Sequence, residues 1–139
     1  IDIVLGFTSE NRQSIETYVQ TLPNECSIYI NADMSQLMCE ADLAIGAAGS
    51  SMWERCCLGL PTIMITLSQD QYQIAKNLHA IGAAINAGHI DNLKIENMVH
   101  IVNELIADNT KRSALKKIAF QVCDGLGVKR IMETINEGY

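Results

Sequence analysis

Residues 41–65 read A-D-L-A-I-G-A-A-G-S-S-M-W-E-R-C-C-L-G-L-P-T-I-M-I, and this stretch decides the fold. Leu43 to Ile45 is short, apolar and closed by a glycine, the pattern of a buried strand. Gly46 to Ser51 is built of small residues, which let the backbone turn tightly and approach a ligand closely. Ser50 to Leu58 has helical character, and Pro61 introduces a second apolar run, Thr62–Thr66. The unit is therefore strand, small-residue turn, helix, strand. Ser50 and Ser51 stand where the helix begins. A helix start presents free N–H groups and the positive end of the dipole, and two hydroxyls there add further donors for a phosphate. Glu54 lies about one turn further on, within reach of a ribose diol. The same residues also read as an ordinary serine cap followed by a first-turn glutamate, and the spacing does not choose between the two.

The rest of the chain extends this pattern. Ile1–Leu5 and Ser27–Ile30 read as strands, separated by a helix over Ser9–Leu22 that Pro23 ends. Asp33–Glu40 reads as a short helix. Gln69–Ile81 is a helix closed by Gly82, and Ala83–Ala87 is a fifth strand. Three helices follow. The first carries Ile95, Met98, Val99, Val102, Leu105 and Ile106 as one apolar stripe. The second spans Thr110–Cys123 with Leu115, Ile118, Ala119 and Val122 inward, and the third spans Val128–Ile135. Alternating strands and helices imply a parallel sheet covered on both faces. The expectation is an α/β, Rossmann-like, doubly wound parallel sheet of five strands in the order 3-2-1-4-5, with ligands beyond the carboxyl ends of the strands.

Bulk composition excludes several classes. The chain has 139 residues, 48% of them apolar, enough for one domain with a core. Its net charge is −6, it has no basic run, and aromatic residues make up 5%. A nucleic-acid surface is therefore not expected. No apolar run reaches membrane-spanning length, and no signal-peptide pattern opens the chain. The cysteines are Cys26, Cys39, Cys56, Cys57 and Cys123, without C-x-x-C spacing. They read as reduced, mostly buried thiols of a cytoplasmic protein rather than as metal ligands or a redox centre. The first residues, Ile1-Asp2-Ile3-Val4-Leu5-Gly6, lie inside a strand and lack an initiator methionine, so a longer polypeptide with an upstream domain is expected.

The run G-A-A-G-S-S-x-W-E-R-C-C-L-G-L-P resembles the signature of the PseG family, the UDP-sugar hydrolases of pseudaminic acid biosynthesis. Three further segments agree: Asn31 with Met34-Ser35-Gln36-Leu37-Met38, then Asp70-Gln71, and Asp124-Gly125-Leu126-Gly127-Val128-Lys129-Arg130-Ile131. The resemblance extends from about residue 28 to about residue 135. Ala48 departs from it, replacing a frequent second glycine and making the turn less permissive. The resemblance implies the C-terminal, nucleotide-binding half of a GT-B enzyme, with UDP or a UDP-sugar as ligand and no cofactor or metal. It implies that Gly49, Ser50 and Ser51 meet the diphosphate, that Glu54 meets the ribose, and that the region from Asn31 to Met34 meets the uracil edge. Gln71, beside Asp70, would touch sugar or ribose hydroxyls. Trp53 reads as core packing ahead of stacking on a sugar or base, and Arg55 as a surface ion-pair partner ahead of a phosphate contact. His79, His89 and His100 have no partner at useful spacing, and the family's general base lies in its N-terminal half, so no catalytic residue is expected in this chain.

The activity implied is release of UDP from a UDP-linked 2,4-diacetamido-2,4,6-trideoxyhexose. Two alternatives stand beside it: a glycosyltransferase resembling MurG, with an acceptor hydroxyl in place of water, and a non-catalytic nucleotide-sugar-binding domain.

Overall fold

In the computed structural model, which describes residues 1–137, the chain forms two compact units, 1–40 and 41 onward. The first unit is a βαβα segment: β1 (Asp2–Leu5), α1 (Arg12–Val19), β2 (Ser27–Ile30) and α2 (Met34–Glu40). β1 and β2 pair in parallel from Asp2↔Ser27 to Leu5↔Ile30. Asp33 starts α2, its Oδ1 accepting from the Ser35 hydroxyl at 2.6 Å and from the backbone N–H of Ser35 and Gln36 at 3.0 and 3.3 Å. These bonds, the Ser35 hydroxyl first, hold its carboxyl below the ordinary carboxylate range.

The second unit is a three-layer α/β body. Its strands are β3 (Ala44–Ala47), β4 (Thr62–Thr66) and β5 (Ile85–His89). Its helices are α3 (Ser51–Cys57), α4 (Gln69–Ala80), α5 (Ile95–Ala107), α6 (Asn109–Val122) and α7 (Gly127–Glu137), with a short 3-10 turn at Ile90–Asn92 after β5. The strands are parallel in the order β3-β4-β5. β4 is central, and alternate residues face opposite layers as strand geometry requires. Met64 packs with Ala48, Met52, Cys56, Ala75 and Ala119; Ile63 packs on the other side with Leu105 and Leu115. Both faces of the sheet are thus covered, as expected for parallel strands.

The strand order is not the expected one. β1 pairs with β2 and β4 with β5, as the order 3-2-1-4-5 requires, but β3 pairs with β4 and the strands form a two-stranded and a three-stranded sheet. A strand has two edges. The β3-α3-β4 crossover is short and brings β4 directly beside β3, from Ala44↔Thr62 to Ala47↔Ile65. β5 takes the other edge. No edge of β4 remains for β1.

Two smaller expectations also shift. Ile95, Val99 and Ile106 of α5 face solvent, while Met98, Ile101, Val102 and Leu105 pack inward. Of the cysteines, Cys56 is buried, Cys39 is exposed and the other three are intermediate, so they are not mostly buried.

The end of α3 shows why the signature carries Leu58-Gly59-Leu60. Gly59 adopts φ +60°, its N–H reaches the Cys56 carbonyl at 2.9 Å, and the Leu60 N–H reaches the Arg55 carbonyl at 2.9 Å. This is a left-handed helix stop, which glycine adopts without penalty. It releases the chain toward Pro61 and β4. A Cβ at position 59 would also collide with the Phe120 ring.

Candidate functional site

The β3–α3 junction is built around Arg55. Helical spacing carries this residue back under the turn that precedes its own helix. Its Nη2 donates to the Ser51 hydroxyl at 2.6 Å and to the Ala47 carbonyl at 3.3 Å. Gly46 makes room for it: a Cβ there would lie 2.9 Å from Nη2 and 3.1 Å from Cζ. Arg55 is 6% exposed, and among the described residues no carboxylate pairs with it. Burial pulls its proton affinity down, with the neighbouring Glu54 charge opposing. The surface ion pair expected for Arg55 is therefore replaced by a buried cation. The reason is tertiary: the missing side chain at Gly46, nine residues earlier, opens the space the guanidinium fills.

The sheet continues one residue past β3, where the Ala48 N–H reaches the Ile65 carbonyl at 3.1 Å. Ala48 is fully buried in the core, so its methyl is a packing group. Neither it nor Gly49 has a positive φ. The turn does not demand a second glycine, and the departure at position 48 carries no backbone strain. Ser50 has helical φ and ψ of −57° and −36°, and its side chain makes no capping bond. The Met52 and Trp53 N–H groups close the first turn on the carbonyls of Gly49 and Ser50 at 3.0 and 3.1 Å. Among the described residues, no protein acceptor takes the N–H groups of Gly49, Ser50 or Ser51.

Gln71, on the first turn of α4, reaches the same place. Its Oε1 accepts the Leu67 N–H at 3.0 Å, and its Nε2 lies 3.8 Å from the position a Cβ of Gly49 would occupy. The structure thus brings Gly49, Ser50, Ser51 and Gln71 together, with exposed Glu54 on the first turn of α3. Asn31 and Met34 belong to the first unit. Asn31 follows β2 in a left-handed conformation, φ 55°, and Met34 opens α2; both are exposed. Trp53 is 43% exposed rather than core, because it lies on the outer side of α3 while Met52 and Cys56 point inward.

The histidines serve local structure or face solvent. His79 Nδ1 accepts the Asn86 N–H at 3.3 Å, His89 Nδ1 accepts the Asp91 N–H at 3.3 Å, and His100 is exposed on α5. Sequence reasoning singled out the turn and, through the resemblance, Gln71; for Arg55 it set a surface ion pair ahead of a phosphate contact and did not read the buried bond to Ser51. The available signal was the i, i+4 pairing of Ser51 with Arg55, which places the two on one helix face.

Chemically, the junction offers three N–H groups unclaimed among the described residues, two hydroxyls and a cation set behind them, which is an environment for an anion.

Residues 3–135 match the family described as Glycosyltransferase family 28 C-terminal domain. The chain is 26% identical over 136 residues to the spore coat polysaccharide biosynthesis protein SpsG of Bacillus subtilis (strain 168), a match covering 98% of this chain and 40% of that protein. Its structure resembles MurG of Acinetobacter baumannii with a TM-score of 0.79 at 20% identity, over 98% of this chain and 40% of that one. It also resembles the spinosyn rhamnosyltransferase SpnG complexed with thymidine diphosphate, with a TM-score of 0.70 at 20% identity, over 95% of this chain and 35% of that one. The chain therefore spans two-fifths or less of the length of these relatives. The structural likenesses establish the α/β C-terminal fold of GT-B enzymes. With nearly its whole length matched, the chain belongs to the glycosyltransferase family 28 C-terminal domain family.

Proposed function

We propose that this chain is the UDP-binding domain of a nucleotide-sugar hydrolase that releases UDP from a UDP-linked 2,4-diacetamido-2,4,6-trideoxyhexose in pseudaminic acid biosynthesis. The observation that carries the nucleotide site is the buried Arg55 behind Ser51, which pairs with no carboxylate among the described residues. The diphosphate accepts from the N–H groups of Gly49, Ser50 and Ser51 and from the two hydroxyls. Glu54 accepts from the ribose diol, and Gln71 donates its amide to sugar or ribose hydroxyls. The thymidine diphosphate complex of SpnG, a structural relative, is consistent with a nucleoside diphosphate on this fold.

In the reaction, water attacks the anomeric carbon and the bond to the diphosphate breaks. Charge develops on the leaving phosphate, where preorganised donors and a low-dielectric cation assist most. This chain supplies nucleotide grip and leaving-group stabilisation. The base that activates water lies in an upstream domain of the same polypeptide, and the enzyme works in the cytoplasm. The hydrolase assignment is supported by the Trp53-Glu54-Arg55-Cys56 signature and its PseG resemblance. A second reading, a UDP-sugar glycosyltransferase, is favoured by the family match itself.

Titration of the chain with UDP, followed by amide chemical shifts, tests the site: shifts centred on Gly49–Ser51 are expected, and shifts confined to another surface would remove the assignment. The complete enzyme separates the two activities. A hydrolase yields equal amounts of UDP and free sugar without any acceptor, whereas a transferase releases UDP only when an acceptor is present. The isolated chain is expected to turn over no UDP-sugar, and turnover by a preparation free of contaminating hydrolase would reveal a catalytic group within it.

A further inference from the structure

Cys57 and Cys123 lie far apart in sequence, 66 residues, yet their sulfur atoms stand 3.0 Å apart. Cys57 is the last residue of α3, and Cys123 follows the last residue of α6. Both are free thiols and both are partly open to solvent. We propose that Cys57 and Cys123 form a reversible dithiol–disulfide site, oxidised by small-molecule disulfides of the glutathione type.

Within the second unit the geometry favours this pair over either pairing with Cys56. A disulfide bond of about 2 Å requires only about 1 Å of further approach. Cys56 adjoins Cys57 in sequence, but successive helical residues point about 100° apart, and its sulfur is fully buried among Met52, Met64 and Ala119. Burial pushes the Cys56 thiol up to about 11, which removes it as a nucleophile at neutral pH. Cys26 and Cys39 belong to the first unit. The partial exposure of both thiols lets a small disulfide reach the pair. The hydrogen bond with Cys123, helped by burial, raises the Cys57 thiol above its ordinary range, which lowers its thiolate fraction and slows its attack on an oxidant.

The chemistry balances in two steps. One thiolate attacks the small disulfide, forming a mixed disulfide and expelling a thiolate that takes up the proton lost. The second protein thiol then attacks the protein sulfur of that mixed disulfide, expelling a second small thiol. Two electrons and two protons pass from the protein to the oxidant, and one protein S–S bond forms. The second step is intramolecular between groups already in contact, so it outruns any external thiol. The closed ring ties the C-terminal end of α3 to the turn that precedes α7, and it encloses β4, α4, β5, α5 and α6.

The experiment is peptide mapping of the chain after incubation with oxidised glutathione, acid quench and alkylation. The expected product is a Cys57–Cys123 cross-linked peptide, lighter than the reduced pair by two hydrogen atoms, with Cys39 carrying a glutathione adduct. The oxidised chain should melt at a higher temperature than the reduced one, and dithiothreitol should reverse both changes. Cys123→Ser should trap glutathione on Cys57 as a stable mixed disulfide. The proposal is overturned if the wild-type chain accumulates glutathione at Cys57 or Cys123 without the cross-link. It is equally overturned if the cross-link joins Cys56 to Cys57, or if Cys39 reacts while Cys57 and Cys123 are both alkylated. The wild-type map decides the matter even where a serine variant folds poorly.

Discussion

Replacing Arg55 with methionine removes a buried charge while keeping most of the side-chain volume, and its expected effect falls on phosphate rather than on folding. Arg55 Nη2 lies 2.6 Å from the Ser51 hydroxyl oxygen. A phosphate oxygen accepting that hydroxyl's proton lies about 2.7 Å beyond it. The cation and the anion are then separated by about 5 Å, and at an effective dielectric near 20 one unit charge is worth about 3 kcal/mol. Ser50 is exposed and Ser51 only partly buried, so solvent screening brings the expected range to about 1.5–3 kcal/mol. This corresponds to a loss of UDP affinity on the order of ten- to a hundred-fold. Folding responds less, because the charge-assisted bonds that are lost are offset by relief of the desolvation that holds the guanidinium's proton affinity down. A change of about 1 kcal/mol in unfolding free energy is expected. The assay is a titration of wild-type and Arg55→Met chains with UDP and with uridine, alongside denaturant unfolding. UDP should weaken while uridine, which lacks phosphates, is unaffected. Equal weakening of both ligands would show that Arg55 only shapes the turn. Undiminished UDP binding would refute the electrostatic argument outright.

Three further outcomes follow from the same geometry. Glu54→Ala in the complete enzyme should raise KM on the order of ten- to a hundred-fold through loss of charge-assisted bonds to the ribose, leaving kcat nearly level; steady-state kinetics giving a collapsed kcat and a constant KM would place Glu54 in the chemistry. Gly59→Ala should destabilise the fold by about 1–2 kcal/mol from the left-handed backbone alone, since half-exposed Phe120 can turn aside from the new methyl; an unchanged denaturation midpoint would refute the helix-stop argument. The Asp124 carboxyl is held down to about 2 by its hydrogen bonds to Arg130 and to the Leu126 N–H. A depressed folded-state value means that its contribution to stability is present above pH about 4 and is lost as pH falls toward 2. A carbon-detected titration should show the midpoint moving up toward the ordinary aspartate range in Arg130→Gln, and no movement would break the assignment.

What the sequence by itself determined is the local and periodic content of this protein. β4 spans Thr62–Thr66 as read from an apolar run after a proline, and α4 starts at Gln69 as read. The inward face of α6, with Leu115 and Ala119 buried, followed from helical spacing alone. The small-residue turn was legible because a strand-to-helix junction leaves a compositional trace, whereas Gln71 was named only through the family resemblance. Three things were decided only by tertiary structure. Strand order was one: nothing in residues 62–66 says which neighbour occupies each edge of β4, and that is settled by which crossover packs on the sheet. The state of Arg55 was another. A guanidinium is as compatible with a surface pair as with a buried cradle, and the choice rests on the empty Cβ position at Gly46 and the carbonyl at Ala47. The meeting of Cys57 with Cys123 was the third, because contact across 66 residues is created by packing α6 against α3 and leaves no periodicity to read. Sequence patterns encode which face of an element is apolar; they do not encode which other element covers it.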